Sequence, residues 1–431
     1  MPKSLLKKNR DELLRFTHFK PEDVIIVDGT PAKREKQMAS DAKVFLMGFD
    51  CYANNWKKLL QLHPDVKACH VDEYHMGYSG GESKRTTSWL ESMRRMDYGV
   101  TMTGTLIDGK FSTAWPAIHA IEPRYYGSYW NFMNTHAAMD DQGNVLYWQN
   151  PEKLQKILGR HAIRRSFEAV YGKEAKVIIN EPVEMDPKHR GMYDQFHELG
   201  LIELEDAFLT GANEGVNLIR ARQIMAHPHA LGLLPPTHLT MKEQRLLIHF
   251  EDCKIKNQPM VIFATLQDEQ ERIVHLAKRE GLRVGLINRN VSAKNRAIVD
   301  QEFRVGNLDL VVASPATAGV GFNWDHVDVV IFASLDWKDS SFIQAYRRAI
   351  RGVRSKPLMI VILEYEDSID QKIMGIVERK NVDARRVDDT QVEVKLFQKK
   401  PEEFKAVGVK KDGPITDTYT PPKISMSGFI K

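Results

Sequence analysis

Short apolar runs alternate with longer amphipathic segments through most of the chain, and this alternation restricts the fold more than any other feature of the sequence. The N-terminal part contains four such runs, at residues 24–27, 44–47, 68–71 and 100–102. Buried runs separated by helical segments are typical of a parallel sheet covered on both faces. The sequence therefore predicts an α/β fold whose functional residues lie at the carboxyl ends of the strands.

A second series of apolar runs predicts a second parallel sheet. Between about residues 181 and 239 the strand pattern stops and helical segments take over, which indicates a helical insertion or hinge. Beyond residue 392 the chain is Lys-rich and aperiodic, and we expect it to be extended or disordered. The predicted division is 1–182 for the first sheet unit, 183–239 for the insertion, 240–392 for the second sheet unit and 393–431 for the tail.

Charge and cysteine content indicate the cellular compartment of the protein more clearly than they indicate its binding partner. The net charge of +4, from 61 basic and 57 acidic residues, is too balanced to establish a polyanionic partner. Three widely spaced cysteines fit free thiols in a reducing compartment and exclude a zinc module built from cysteine pairs. No signal peptide and no apolar run long enough for a bilayer is present, so we expect a cytoplasmic protein, or one inside a host cell, with no membrane partner.

Polar groups follow two of the predicted strands in the first unit. Asp72 and Glu73 come directly after the third apolar run, and Thr103 and Thr105 follow the fourth. An acidic pair at a strand end can hold Mg²⁺, partly through water, and orient an attacking water. The same pair can also simply cap the next helix, and the threonines can close a turn. The residue types by themselves do not distinguish a catalytic role from a purely structural one.

Two stretches of the second unit have the character of a phosphate site. Residues 314–321 form a loop of small residues at a strand end, where glycines permit close approach of a ligand. Residues 344–351 read as a helix on which Gln344, Arg348 and Arg351 share one face, and guanidinium groups suit phosphoryl oxygens. A tight turn and a solvated helix face explain these stretches equally well.

Taken together, these stretches resemble the Swi/Snf-related ATPases of helicase superfamily two in their order and approximate spacing. The resemblance covers nearly the whole chain. It rests on segments similar to motif Ia (residues 2–6), the DEAH box (72–75), motif III (102–105), motif V (314–323) and motif VI (344–351).

The resemblance implies two RecA-like lobes that use ATP and Mg²⁺ and bind duplex or branched DNA without sequence preference. It implies Mg²⁺ binding by Asp72, polarisation of the attacking water by Glu73, and arginine fingers at Arg348 and Arg351. The implied nucleotide-binding set adds His75, Gly319, Gly321 and Gln344. The implied contacts with the nucleic-acid backbone come from Lys3, Ser4, Thr103, Thr105, Ser314 and Thr317.

The sequence also departs from the family pattern. Leu106 stands where a proline is usual in motif III, and Arg347 replaces the glycine of motif VI. The chain begins at motif Ia, so we expect the first lobe to be incomplete at its N-terminus. We expect the Walker A segment to be supplied elsewhere, and a separate polypeptide is one such source. Residues 104–110 fit GxxxxGK, but Phe111 stands where a Mg²⁺-binding hydroxyl is required.

Two functions follow as hypotheses. The first is the motor of an ATP-dependent DNA helicase or translocase, completed by a Walker A segment. The second is an ATP-independent scaffold for DNA or protein, derived from such a motor. Retention of Asp72, Glu73, Arg348 and Arg351 favours the motor.

Overall fold

The computed structural model describes residues 1–388, apart from residues 79, 82, 108, 200, 205–206, 211–213 and 320, together with residue 396. The chain divides into two compact units, one of Met1–Val170 with Arg379–Glu393 and one of Tyr171–Glu378 with Val394–Lys431. The predicted tail, residues 393–431, lies outside the described residues except at Leu396. In the part of the chain that is described, no helix has the length and apolarity that crossing a bilayer requires.

The first unit is built from short strands and helices in alternation. Its strands are β1 (Val24–Val27), β2 (Val44–Met47), β3 (Ala68–Asp72), β4 (Tyr98–Met102), β5 (Ala137–Met139) and β6 (Val145–Trp148). Its helices are α1 (Leu6–Phe16), α2 (Pro31–Met38), α3 (Phe49–Leu62), α4 (Lys84–Met93), α5 (Trp115–Ile121), α6 (Tyr129–His136) and α7 (Pro151–His161), followed by α8 (Phe167–Tyr171) at the boundary.

The four predicted strands of this unit are present, but they do not form the single sheet that we expected. β1 pairs with β2 and β3 pairs with β4, both in parallel, while β5 and β6 form an antiparallel hairpin. Each pair is a separate two-stranded sheet. The amino nitrogen of Met1 donates to the carbonyl of Met47 at the end of β2 (3.4 Å).

The expectation that both faces of the first sheet are covered is also wrong for β4. Tyr98, Val100 and Met102 alternate along one face of this strand, and they are 71%, 43% and 44% exposed. The buried apolar residues of the first unit form several separate clusters, the largest of which surrounds Phe111 and Phe132. A contiguous apolar strand face of this kind marks a surface on which another element can pack.

The second unit contains the remaining elements. Its strands are β7 (Lys176–Val183), β8 (Leu201–Leu204), β9 (Ala207–Thr210), β10 (Met260–Phe263), β11 (Val284–Ile287), β12 (Leu310–Ala313), β13 (Val329–Phe332) and β14 (Leu358–Tyr365). Its helices are α9 (Pro187–Leu199), α10 (Glu214–Ala226), α11 (Met241–Lys256), α12 (Gln267–Arg279), α13 (Ala293–Arg304), α14 (Pro315–Ala318) and α15 (Asp339–Tyr346), and α16 (Ile369–Val387) crosses the boundary between the units.

A six-stranded parallel sheet with strand order β11-β12-β10-β13-β14-β7 organises the second unit. Every residue of β10, β12 and β13 is buried, as the continuous apolar runs predict for strands covered on both faces. The prediction of an α/β fold with a parallel sheet is therefore confirmed. β7 was not among the predicted strands, although its eight residues pair with β14 along the edge of this sheet.

The segment between β7 and α11 contains more than the helices that we predicted. α9 and α10 are present, and the β8–β9 hairpin lies between them. The segment ends at a capping box, as predicted: Thr240 Oγ1 accepts from the Glu243 amide, and the Glu243 carboxylate accepts from the Thr240 amide (2.9 Å). These two bonds satisfy backbone donors at the start of α11 and fix its first turn.

Candidate active site

The acidic pair of the first unit lies at the carboxyl end of β3. Asp72 is the last residue of that strand, and the side-chain amide of Asn9 lies 3.5 Å from its carboxylate. Glu73 adopts the left-handed conformation, with φ 48° and ψ 47°. This conformation costs free energy for a residue with a Cβ, and such strain is concentrated at functional sites. The turn therefore places two acidic residues in succession at the strand end.

A hydrogen-bond network links the acidic turn to the end of β4. His75 Nδ1 lies 2.7 Å from Thr103 Oγ1, and that hydroxyl donates to the carbonyl of Thr105 (3.0 Å). Because the hydroxyl proton is used in this way, Nδ1 of His75 is the donor to Thr103. The Glu73 carboxylate is also near the ring, 3.5 Å from Nδ1. Predicted nucleotide-binding and nucleic-acid-binding residues are thus joined in one network, and the Thr103 hydroxyl and the buried Thr105 are engaged inside the protein.

The donor set of this turn fits a magnesium ion. Mg²⁺ prefers carboxylate oxygens and retains several waters, so a site with one or two carboxylates open to solvent is sufficient. Asp72 and Glu73 are both partly exposed, and both carboxylates come from one turn. Asp72 would hold the ion directly and Glu73 partly through water.

Lys3 and Ser4 lie on the surface, in a short 3₁₀ helix of residues Lys3–Leu5. The stem of Lys3 passes close to Gly48, which immediately follows β2. Both residues are therefore near the carboxyl end of a strand and open to solvent, where a phosphate backbone has access to them.

The loop that imitates a phosphate-binding motif does not have the geometry of one. Phe111 is fully buried and stacks on Trp148 with ring centroids 5.3 Å apart. A short 3₁₀ helix, Phe111–Ala114, follows the loop, and α5 begins after it with Pro116 in its first turn. The position that should offer a hydroxyl to Mg²⁺ is therefore occupied by a core side chain. Residue 108 of this loop lies outside the described residues.

In the second unit, the small-residue loop after β12 begins α14. Ser314 caps this helix by accepting from the Thr317 amide (3.1 Å), and the two hydroxyls are 3.1 Å apart. Gly319 packs against α15, since a Cβ there would lie 2.7 Å from the Pro315 carbonyl and 3.5 Å from Gln344 Oε1. Gly321 has φ 91°, a conformation that favours glycine. The loop therefore brings predicted residues of motifs V and VI into contact.

We expect Gly319→Ala to destabilise the protein by about 1–3 kcal/mol, because the added methyl group would lie only 2.7 Å from the Pro315 carbonyl of α14 and force the backbone to shift. Gly352→Ala is the matched control, since a Cβ at Gly352 meets no atom within 4 Å. Urea unfolding of both variants measures the difference. Equal stabilities would show that the loop yields to the methyl group without cost.

The arginine-bearing segment is not the continuous helix that we predicted. α15 ends at Tyr346, and the following amides of Arg348, Ala349 and Ile350 bond three residues back rather than four. The carbonyl of Arg348 accepts instead from the Trp324 amide (2.7 Å), which draws the backbone out of the helical path. The prediction of one helical face through Gln344, Arg348 and Arg351 is therefore wrong.

The two candidate fingers have different surroundings. Arg348 is largely buried, and its Nε donates back to the Gln344 carbonyl (3.0 Å). Arg351 is exposed, and one terminal nitrogen donates to the carbonyl of Phe322 in the loop after α14 (2.8 Å). Gln344 and both arginines thus lie beside the small-residue loop.

Sequence reasoning missed the group that anchors this segment. The buried carboxylate of Glu174 accepts from Arg347 Nε (2.9 Å) and from the hydroxyl of fully buried Tyr346 (3.3 Å), and it pairs with Lys176. Burial acts to raise the pKa of Glu174, but the charges of Arg347 and Lys176 outweigh it and hold the pKa below its usual value. The sequence feature that could have indicated this ion pair is Arg347, which stands where the family has glycine and which needs an acidic partner such as Glu174.

We expect Glu174→Gln to destabilise the second unit by about 2 kcal/mol, because the amide leaves two cations near Tyr346 without their counterion. Since the folded-state pKa of Glu174 is lowered, its contribution is present above the pKa of the unfolded chain and is lost as pH falls through the folded-state pKa. Glu35→Gln, in an exposed pair with Lys58, is the control and should change stability by less than about 0.5 kcal/mol. Urea titrations at pH 7 and pH 4 measure both effects.

Comparison with known proteins agrees with this geometry. The family of the helicase conserved C-terminal domain matches residues 242–353, which contain β10 to β13 and the arginine-bearing segment. An uncharacterized ATP-dependent helicase of Mycoplasma genitalium is 22% identical over 88% of this chain and 36% of its own length. The chromodomain-helicase-DNA-binding protein 1-like of Danio rerio is 20% identical over 92% of this chain and 39% of its own. The chain thus spans less than half the length of these curated relatives.

Among solved structures, the SWI2/SNF2 ATPase core of Sulfolobus solfataricus in complex with double-stranded DNA is similar at 19% identity and a TM-score of 0.39, covering 90% of this chain and 82% of that chain. The second unit is thus an α/β unit that contains a helicase conserved C-terminal domain. The chain's relatives are named as helicases and chromatin-remodeling factors, in agreement with the resemblance to the Swi/Snf-related ATPases of helicase superfamily two.

Proposed function

We propose that this chain is the motor portion of an ATP-dependent DNA translocase, in which ATP hydrolysis drives movement on duplex or branched DNA. The motor requires a Walker A segment from an upstream or separate polypeptide. The observation that carries the proposal is the strained acidic turn at the end of β3 together with its link to β4 through His75 and Thr103. Holding a glutamate in the left-handed conformation costs free energy, and this cost supports a functional role for the turn.

Each candidate residue has a separate role in this reaction. Asp72 and Glu73 hold Mg²⁺, which neutralises charge on the phosphates when it is bound, and Glu73 also orients the attacking water. His75 transmits the state of this turn to Thr103, while Arg348 and Arg351 stabilise the charge of the transferred phosphoryl group. Gly319, Gly321 and Gln344 shape the loop beside those arginines.

The DNA partner is supported by the names of the relatives and by the surface residues. The Danio rerio relative is described as DNA-binding, and the Arabidopsis thaliana relative PICKLE, 21% identical over 81% of this chain, is described as a chromatin-remodeling factor. Lys3 and Ser4 offer a cation and a hydroxyl at the surface of the first unit. Ser314 and Thr317 are partly exposed at a helix N-terminus of the second. Such groups bind phosphate without reading base sequence.

We expect duplex DNA binding to be independent of sequence and to weaken steeply with salt, with log affinity falling by about 0.9 per neutralised phosphate for each unit of log salt. Lys3→Ala should reduce this slope by about one phosphate. Fluorescence anisotropy with two unrelated duplexes over a salt series measures both quantities.

Lys43→Ala is the matched control for this experiment. Lys43 is an exposed lysine that pairs with Asp23. It immediately precedes β2, so it lies at the opposite end of that strand from Lys3. Its removal should leave the slope unchanged. A flat salt dependence of the wild-type protein would contradict the motor and also the DNA-scaffold alternative. DNA binding with no ATPase activity in the completed protein would favour that alternative.

A further inference from the structure

Two buried histidines and a buried glutamate converge where the inserted segment joins the second sheet. His227, His229 and Glu243 are 1%, 2% and 5% exposed, and one ligand atom from each lies within 4.8 Å of the other two. His227 and His229 flank Pro228 just after α10, and Glu243 is in the first turn of α11. None of the three belongs to the nucleotide or DNA sites described above. We propose that they bind a zinc ion that fastens the end of the insertion to α11.

The spacing of the ligand atoms fits zinc. Nδ1 of His229 is 3.2 Å from Nδ1 of His227 and 3.9 Å from a carboxylate oxygen of Glu243. Two nitrogen ligands on a tetrahedral zinc, each about 2.0–2.1 Å from the ion, are separated by about 3.3 Å. The two imidazoles already have this separation, and a small movement of Glu243 completes a three-residue set.

The protonation of the ring nitrogens also fits a metal ligand. Nε2 of His229 lies 2.8 Å from the His238 carbonyl, which can only accept, so Nε2 carries the proton and Nδ1 presents its lone pair to the cluster. A hydrogen bond from the distal nitrogen to a carbonyl is the usual support of a metal-bound histidine.

A third imidazole, that of His189, lies in the same buried region. Nε2 of His189 is 2.7 Å from the carbonyl of Ile224 and must donate to it, which leaves the lone pair of Nδ1 buried without a hydrogen-bond partner. The His189 ring interacts electrostatically with Glu243 and His229. A buried lone pair of this kind is costly in a metal-free core, and a zinc-bound water beside it would supply a donor.

Arg272 sets the strength of the proposed site. Its Nε donates to the same Glu243 oxygen (2.9 Å), and its charge lies near both histidines. A carboxylate oxygen has two lone-pair positions, so it can accept from arginine and ligate a metal together. The positive charge nevertheless opposes a second cation, and the binding should be weaker than in zinc sites without such a neighbour. The competing arrangement is a direct hydrogen bond from His227 to His229.

The test is zinc uptake by the full 431-residue chain. Chelator-treated protein is dialysed against buffered ZnCl₂, the metal is counted by mass spectrometry, and Co²⁺ is used to obtain the visible absorption of a tetrahedral site. We expect one zinc per chain, a rise in melting temperature with zinc, and affinity at least about tenfold weaker in His229→Ala. His249→Ala, which removes a histidine paired with Glu181, should bind zinc as the wild type does.

Imidazole ¹⁵N NMR of the wild-type protein keeps the proposal testable if His229→Ala does not fold. Zinc should move the Nδ1 signals of His227 and His229 together while leaving His249 in place. Absence of stoichiometric zinc uptake, uptake that His229→Ala does not weaken, or an Nδ1–H signal from His227 that persists in excess zinc would overturn the proposal.

Discussion

Arg348→Ala and Arg351→Ala are each expected to lower the ATP turnover of the completed motor by about 10³-fold or more, because an arginine finger stabilises charge that appears only in the transition state. DNA binding should be nearly unchanged, since neither side chain belongs to the proposed DNA contacts. Steady-state hydrolysis with saturating DNA measures the effect. It should appear in kcat rather than in KM.

The two arginines differ in burial, so their variants need different checks of stability in this experiment. Arg351 is exposed, and losing its bond to the Phe322 carbonyl should cost little stability, so its effect on kcat reports chemistry directly. Arg348 is largely buried, and its variant must be shown to remain folded. Arg283→Ala removes an exposed arginine paired with Asp309 in the same unit and is the control. Wild-type turnover by Arg351→Ala would exclude the finger role of Arg351.

Adding a polypeptide with a Walker A strand, by fusion upstream or as a separate chain, is expected to raise the melting temperature by roughly 5–10 °C. β1–β2 and β3–β4 are separate pairs, so among the described residues of the first unit these pairs have edges without a neighbouring strand. The Tyr98, Val100 and Met102 face of β4 is exposed, and burying each such side chain contributes about 1.5–3 kcal/mol before ordering costs. One added strand with its helix can satisfy both the edges and the face.

A proline-bearing segment and two valine substitutions serve as controls for this second experiment. A segment with proline in the middle of its strand cannot pair with an edge and should give no thermal shift. Val100→Thr should reduce the shift by making the covered face more polar, whereas Val145→Thr, on the separate β5–β6 hairpin, should not. The same shift with the proline-bearing segment would show that the strand edges are not its binding site.

Sequence reasoning predicted the second unit well because burial on both faces leaves a continuous apolar run. β10, β12 and β13 are such runs, and all three lie in the central part of the sheet. β7 was missed because it is an edge strand of mixed character, with Asn180 and Glu181 among its residues. Pairing of β7 with β14 is a long-range contact that no local pattern contains.

At the candidate site, the sequence predicted where single residues lie in the secondary structure, but it did not predict the tertiary contacts that those residues make. Asp72 and Glu73 lie at the end of a strand, as their position after an apolar run predicts. The end of α15 at Tyr346 depends on the amide of Trp324, which is remote in sequence and takes the Arg348 carbonyl. The anchoring of Arg347 by Glu174 depends on a similar remote contact. Tertiary hydrogen bonds of this kind override helical periodicity.

The most direct test of the motor is DNA-stimulated ATP hydrolysis by the 431-residue chain with and without the added Walker A segment. The chain alone should not hydrolyse ATP at a meaningful rate, because Asp72 and Glu73 would position Mg²⁺ and water but none of the candidate residues would hold the β- and γ-phosphates in line as a Walker A lysine and its amides do. With the segment present, hydrolysis should appear and should be lost in Glu73→Gln. Robust Mg²⁺-dependent hydrolysis by the isolated chain, abolished by Lys110→Ala, would contradict the account and make the loop at residues 104–110 the phosphate site.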